Sequence, residues 1–311
     1  MSANPNLRPQ LRKKMREHIL RINNALDALA CNINLQLYGF MTKDMHVTLF
    51  PDPIYAATNT LESIWKCILI GHMTDAFVLA RKFRDDLLMY LFTLIVSSEE
   101  ETRHADNLDN IRSDVTVNSD MLFEMLDEFM AELKDRKVDK REEAIIAWIK
   151  NLLDSNEFKT YRRNYFGAAK YLDCIRNNSA TKQCYLEFFC DKMESARVVL
   201  DNYVHANGRQ YILSNTYPHN SFNFADLCQQ VIDILILIVS LFLSCIALIV
   251  PAALISSDYI DALEMGYTPE EGSQYIIDPN LQQFISKYFD NIHPNLRTYI
   301  RDHNPYGMVV E

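Results

Sequence analysis

The sequence predicts an all-α protein: an antiparallel helical bundle with one long apolar helix, read as transmembrane, and a short irregular C-terminal tail. Three observations predict this class. Glycine is scarce, 7 in 311 residues, where ordinary proteins carry about 7%. With only 10 prolines as well, the chain lacks the turn residues that many-stranded folds require. Apolar side chains recur at three- and four-residue steps along most of the chain, the spacing of a single helix face. Finally, the stretch ILILIVSLFLSCIALIVPAALI, from Ile234 to Ile255, holds no charge and no glycine. As a helix it measures roughly 33 Å, close to the hydrocarbon thickness of a bilayer.

The elements follow in order. Leu11, Met15, Ile19, Ile22, Leu26 and Leu29 mark a first helix from about Leu7 to Asn32. Asn32 to Phe50 is less regular, and Pro51-Asp52-Pro53 marks a break. A second helix opens near Pro53 and runs to about Ile70. Gly71 and His72 separate it from a third, Met73 to Ser98, which carries Phe77, Ala80, Phe83, Leu87, Leu88, Leu91, Leu94 and Ile95. The apolar run of that helix, Leu87–Val96, is too short to span a membrane. The polar segment Glu99–Asn118 reads as a mobile loop, and Ser119 as the N-cap of a helix over Asp120–Asp135. Further helices are expected over Lys140–Leu153, Asn156–Arg176 and Ala180–Val204. The polar stretch His205–Asn223 interrupts them, and the apolar helix follows from about Phe224 to Ile255. Beyond Ser256, Gly266, Pro269, Gly272, Pro279, Pro294 and Pro305 leave room for two or three short elements. The organisation is a helical bundle domain over 1–223, the apolar helix over 224–256 and an acidic tail over 257–311.

The apolar helix has two readings. Length and lack of charge favour a membrane span, in which Pro251 is tolerated. The flanks argue the other way: the nearest cations are Arg209 and Lys287, and Asp233 stands at the entry, so no positive-inside signal is present. A span places the protein in the cell inner membrane with the bulk of the chain cytoplasmic. The alternative is the core helix of a large bundle or dimer in a cytoplasmic protein. No apolar h-region follows the basic N-terminus, so no secretory signal is expected.

The net charge of −10 disfavours a general nucleic-acid binder, which needs clustered cations. The charge is uneven. Arg8, Arg12, Lys13, Lys14, Arg16 and Arg21 crowd the start, where they form either a solvated helix face or a surface for anionic lipid or RNA. Carboxylates dominate after Ile255. The 7 cysteines are scattered without CxxC spacing, which speaks against a zinc site or a dithiol redox motif and fits a reducing compartment. No cofactor or metal is expected. Tyr161-Arg162-Arg163-Asn164-Tyr165 is a basic–aromatic cluster, either a helix face or a platform on which bases stack.

One polar constellation stands out. Arg81 and Asp85 lie four apart and Arg81 and Arg84 three apart, so they share a helix face. His205 ends the segment Leu200-Asp201-Asn202-Tyr203-Val204-His205. Structurally, these residues are an intrahelical ion pair and a helix C-cap. Functionally, Arg81 and Arg84, with Asp85, hold a phosphate or carboxylate and His205 acts as acid or base, once the two helices meet. No nucleotide-binding loop, metalloprotease motif or nucleophile elbow is present.

The segments GHMTDAFVLARKFRDDLLMYLF (Gly71–Phe92) and LDNYVHANG (Leu200–Gly208) resemble the HEPN-like helical families of bacterial abortive-infection and toxin systems. The resemblance covers about Pro53–Gly208. It implies a helical bundle, often dimeric, in which several members are metal-independent ribonucleases. Those nucleases carry an Arg and a His with four to six residues between them, usually with Asn, Asp or His just after the Arg. Here Arg12/His18 and Arg297/His303 have that spacing, with five residues between, but Lys13 and Thr298 follow the arginines, and both pairs lie outside the resembling region. Three functions are therefore carried forward. The first is a membrane-associated binding or sensor protein in prokaryotic phage defence. The second is a soluble HEPN-like ribonuclease or nucleotide-acting enzyme, and the third a structural oligomerisation protein. The corresponding partners are a membrane, RNA or another anionic ligand, and a second copy of the chain.

Overall fold

A computed structural model describes residues 7–39, 51–104, 140–149, 152–156 and 159–311. Every regular element among them is helical; the remaining backbone pairing consists of the isolated bridges Ile255–Ile277 and Ile276–Val309.

Helix α1 spans Leu7–Gly39, past the end expected at Asn32. The polar Asn32 is an internal tie there: it is buried, and its side-chain amide donates to the Ile255 carbonyl at 2.8 Å. Helix α2, Asp52–Ile70, opens with Pro in its first turn, where no backbone N–H is needed. It buries Ile54, Ala57, Leu61, Ile64 and Ile68. Gly71 ends it at φ 83°, with the His72 N–H closing back on the Cys67 carbonyl at 2.9 Å. The His219 ring sits against this turn, and a Cβ on Gly71 would lie 2.0 Å from His219 Nε2. Gly71→Ala should therefore lower stability by more than the roughly 1–2 kcal/mol that left-handed backbone costs an L-residue. Urea denaturation reads that loss directly.

Helix α3, Met73–His104, doubles back from the turn, so that Lys82 reaches Thr60 of α2. It continues through Glu99–His104, where a loop was expected. Distant partners hold the acidic end: Arg141 Nη2 donates to Glu99 at 3.0 Å and Asn178 Nδ2 at 3.1 Å. The rest of that expected loop, and the expected helix Asp120–Asp135 with its Ser119 cap, fall outside the described residues. Helix α4 is Lys140–Ile149. The single helix expected over Asn156–Arg176 is two, α5 (Lys159–Tyr165) and α6 (Ala168–Asn177), parted at Phe166–Gly167. A short turn, Lys182–Cys184, and a π-helical turn, Tyr185–Phe189, lead into α7, Cys190–Val204. The π turn delivers Tyr185, Phe188 and Phe189 to the core. Helix α8, Arg209–Leu213, lies within the polar stretch.

Helix α9, Phe222–Ile249, starts at Ser221, whose hydroxyl accepts the Phe224 N–H at 3.2 Å. It stops short of Ile255 because Val250, forced out of helical geometry ahead of Pro251, breaks the ladder. A 3-10 turn, Pro251–Leu254, follows. The helix is long and apolar enough to cross a membrane, and its most apolar 18-residue window is 89% buried within the fold. Every residue from Ile234 to Leu248 is buried.

Three more helices follow: α10 (Ser257–Glu264), α11 (Pro279–Ile292) and α12 (Leu296–His303). The tail, expected to be irregular with two or three short elements, forms these three helices, and its prolines and polar residues start them. Asp278 caps α11 by accepting the Asn280 N–H at 2.8 Å, and Pro279 fills the first turn. Leu281, Phe284, Ile285, Tyr288 and Phe289 of α11 join the same core as Met15, Leu91 and Ile238. His18 Nδ1 meets the Tyr288 hydroxyl at 2.8 Å across the α1–α11 contact. Burial, then the neighbouring Lys14, holds that imidazole below its ordinary value of 6.5. Helices α1, α3, α7, α11 and α12 all pack on α9, so most of its apolar surface is covered by protein. All seven cysteines are among the described residues, and no disulfide joins any of them. Burial pushes the thiols of Cys184 and Cys228 up to about 12, which keeps them protonated and unreactive.

Candidate functional site

The expected polar constellation lies where α3 meets α7. Phe77 stacks on Tyr203 with ring centroids 3.8 Å apart, and Tyr203 meets Tyr211 edge-on. Thr74 anchors the start of α3: its N–H donates to the Asn215 side chain at 2.8 Å and its hydroxyl to the Tyr211 carbonyl at 2.9 Å. About two turns further along α3 stand Arg81, Arg84 and Asp85.

The structure brings Arg81, Arg84 and Asp85 together. Arg84 Nε and Nη2 both donate to Asp85 Oδ1, at 2.8 and 2.7 Å. Arg81 Nε lies 3.9 Å from the other Asp85 oxygen, and its Nη1 crosses to Asp201 of α7 at 3.3 Å. Asp201 is shared with Arg197, which donates to it at 2.8 Å and pairs with Glu194. The charges therefore alternate: Arg84, Asp85, Arg81, Asp201, Arg197, Glu194. Each guanidinium faces a carboxylate, and an incoming anion would have to displace one. Arg84 is only 2% exposed, and its Nη1 has no hydrogen-bond partner.

His205 does not join them. It is exposed at the C-terminus of α7, its backbone N–H bonded to the Asp201 carbonyl at 3.0 Å. Among the described residues no hydrogen bond, ion pair or ring contact links its imidazole to either arginine. It caps the helix, one turn beyond the residue that Arg81 contacts. The contacts that are present, Arg81 with Asp201 and Thr74 with the Tyr211 carbonyl, clamp α3 to α7 and α8. Asp201 and Arg197 were not singled out from the sequence. Their four-residue spacing was the available signal; the contact with Arg81 across the helices had none.

A groove of about 620 Å³ opens between α7, α9 and the end of α11. Its floor is apolar, with Val199, Ile234 and Leu237, and its rim carries Asp191, Asp226 and Asp233. Asp233 accepts from Gln229 Nε2 at 2.7 Å, and Gln229 in turn takes the Lys14 ammonium at 2.8 Å. Among the described residues no lysine or arginine pairs with these three carboxylates. Lys192 also borders the groove, with its ammonium 3.4 Å from the Phe188 carbonyl. None of Arg81, Arg84, Asp85 or His205 lines it. Among the described residues no group of three His, Cys, Asp or Glu side chains is arranged to hold a metal ion. No family model, curated protein or solved structure matches the chain, so the HEPN-like resemblance stands on the two quoted segments and the site on its own geometry.

Proposed function

We propose that this protein is a non-catalytic binding module, an antiparallel helical bundle built around α9, whose α7–α9–α11 groove receives a cationic, amphipathic segment of a partner protein. The observation that carries this reading is the groove itself: three carboxylates without a basic partner, set around an apolar floor. Such a surface favours a segment with aliphatic anchors on one face and lysine or arginine on the other, the helix-in-groove mode of recognition. Oppositely directed contacts support the bundle: Lys82 with Thr60, Arg81 with Asp201, and His18 with Tyr288.

Of the functions carried forward, this one keeps the binding role and gives up the anchor. The enclosure of α9 supports the cytoplasmic placement over the inner-membrane one. The pairing of Arg81 and Arg84 with Asp85 and Asp201 argues against an RNA or phosphate ligand there. Among the described residues His205 contacts neither Arg81 nor Arg84, so the ribonuclease reading has no assembled acid–base pair to support it.

The test is a fluorescein-labelled amphipathic helix of Lys and Leu, about 18 residues long, titrated by anisotropy. The full chain should bind it, less tightly as salt rises. Asp226→Asn combined with Asp233→Asn should weaken binding about tenfold, or ~1.4 kcal/mol. Equal binding by the double variant sinks the reading.

A further inference from the structure

A second cavity, of about 410 Å³, lies apart from the groove, open to solvent between α3, α4, α5, α6 and the segment 152–156. Three rings line one side of it, Trp148 from α4, Phe166 from the link after α5 and Tyr171 from α6, with Met89 of α3 beside them, and Asp154 and Arg162 supply its polar side. Phe92 backs two of these rings, edge-on to Phe166 at 6.3 Å and tilted against Tyr171 at 5.4 Å. The walls are thus held before any ligand arrives. Tyr161 donates its hydroxyl to Glu143 of α4 and meets Tyr165 edge-on, which fixes α5 with Arg162 at the cavity. This is the basic–aromatic run Tyr161–Tyr165 of the sequence, now given a place.

The polar handle is Arg162, which also lines the cavity. Its Nη1 lies 3.0 Å from Asp154 Oδ1, and the two side chains are 69% and 85% exposed. A pair so exposed holds by roughly 1 kcal/mol or less. An anionic group with two oxygens can take the guanidinium over bidentately.

We propose that this cavity binds a small ligand consisting of a planar aromatic ring with an attached anionic group, carboxylate or phosphate. The ring packs among Trp148, Phe166 and Tyr171, and the anion replaces Asp154 on Arg162. The volume lies in the usual range for small-molecule sites. Three aromatic walls alone would also suit a quaternary ammonium ion, which Asp154 of the same cavity attracts and Arg162 repels, so the ammonium ion is the competing ligand in the test. Burial holds the Tyr171 hydroxyl up at about 12, so that wall stays neutral. The site is independent of the groove and of the function proposed for it.

The chain contains 2 tryptophans, Trp65 and Trp148. A Trp65→Phe background makes Trp148 the sole reporter, and calorimetry on the unsubstituted chain serves if that background misfolds. The probes are 2-naphthoate, adenosine 5′-monophosphate, 2-naphthalenemethanol, inorganic phosphate and benzyltrimethylammonium. We expect at least one aromatic anion to bind and quench Trp148, the tighter of the two naming the carboxylate or phosphate source. The neutral alcohol should bind about tenfold more weakly and phosphate alone not measurably. Arg162→Gln, at an exposed position, should cost the anion about tenfold (~1.4 kcal/mol) and leave the alcohol unchanged. The proposal is overturned if neither aromatic anion binds, if Arg162→Gln binds the anion as well as the parent does, or if the ammonium ion binds best.

Discussion

Asp85→Ala should destabilise the fold by about 2–4 kcal/mol, although the side chain removed is partly on the surface. Arg84 is 2% exposed, and Asp85 receives both of its hydrogen bonds. Without Asp85, a guanidinium stays buried with no counter-charge and two more orphaned donors beside Nη1. Breaking a buried pair from one side costs about 3–5 kcal/mol. The expected figure is lower because Asp85 is itself 37% exposed and water can enter where it was. The same physics makes a second substitution informative. Arg84→Met replaces the cation with an apolar chain of similar reach, so Arg84→Met with Asp85→Ala should recover most of the loss. Urea midpoints of the three variants give the comparison. If Asp85→Ala lies within about 0.5 kcal/mol of the parent, Arg84 does not depend on it.

Leu235→Ala should cost about 2–5 kcal/mol, the range for a large-to-small change in a packed core. Leu235 is fully buried near the middle of α9, with the helices of this chain around it. A leucine facing lipid would behave differently, since alanine there leaves no cavity between protein side chains. The experiment therefore tests which solvent α9 has. A loss of that size in a chain recovered without detergent agrees with a protein-filled core. A variant as stable as the parent, in a chain that leaves the membrane only with detergent, restores the anchor.

Periodicity carried the helices whose apolar faces are self-evident. Met15, Ile19, Ile22, Leu26 and Leu29 were picked from spacing alone, and all are buried. The boundaries went astray where the deciding partner is remote. Glu99–His104 is polar and acidic, which reads as loop, yet α3 runs on through it, with Glu99 held by Arg141 and Asn178 from distant parts of the chain. Asn32 reads as a terminus and is an interior tie to Ile255. The tail read as irregular because Pro279 was taken as a breaker, whereas a proline just after an Asp cap starts a helix. The most instructive case is α9. A segment free of charge is what both lipid and a fully enclosed core position demand, so composition could not choose between them.

The site divides in the same way. The Arg81–Asp85 spacing was legible because it is local. The crossing to Asp201 was not, since it depends on how far α3 and α7 slide past one another. The groove was invisible to sequence. Asp191, Asp226 and Asp233 come from two helices, and only packing sets them around one floor.

The sequestered sulfhydryls have a practical consequence. Cys31 faces solvent, Cys67 and Cys190 are half covered, and Cys174, Cys184, Cys228 and Cys245 are shut inside. A maleimide dye thus meets an inviting target on α1 while four others stay locked away until the chain opens. Labelling stoichiometry then doubles as a gauge of how many molecules in a preparation are intact.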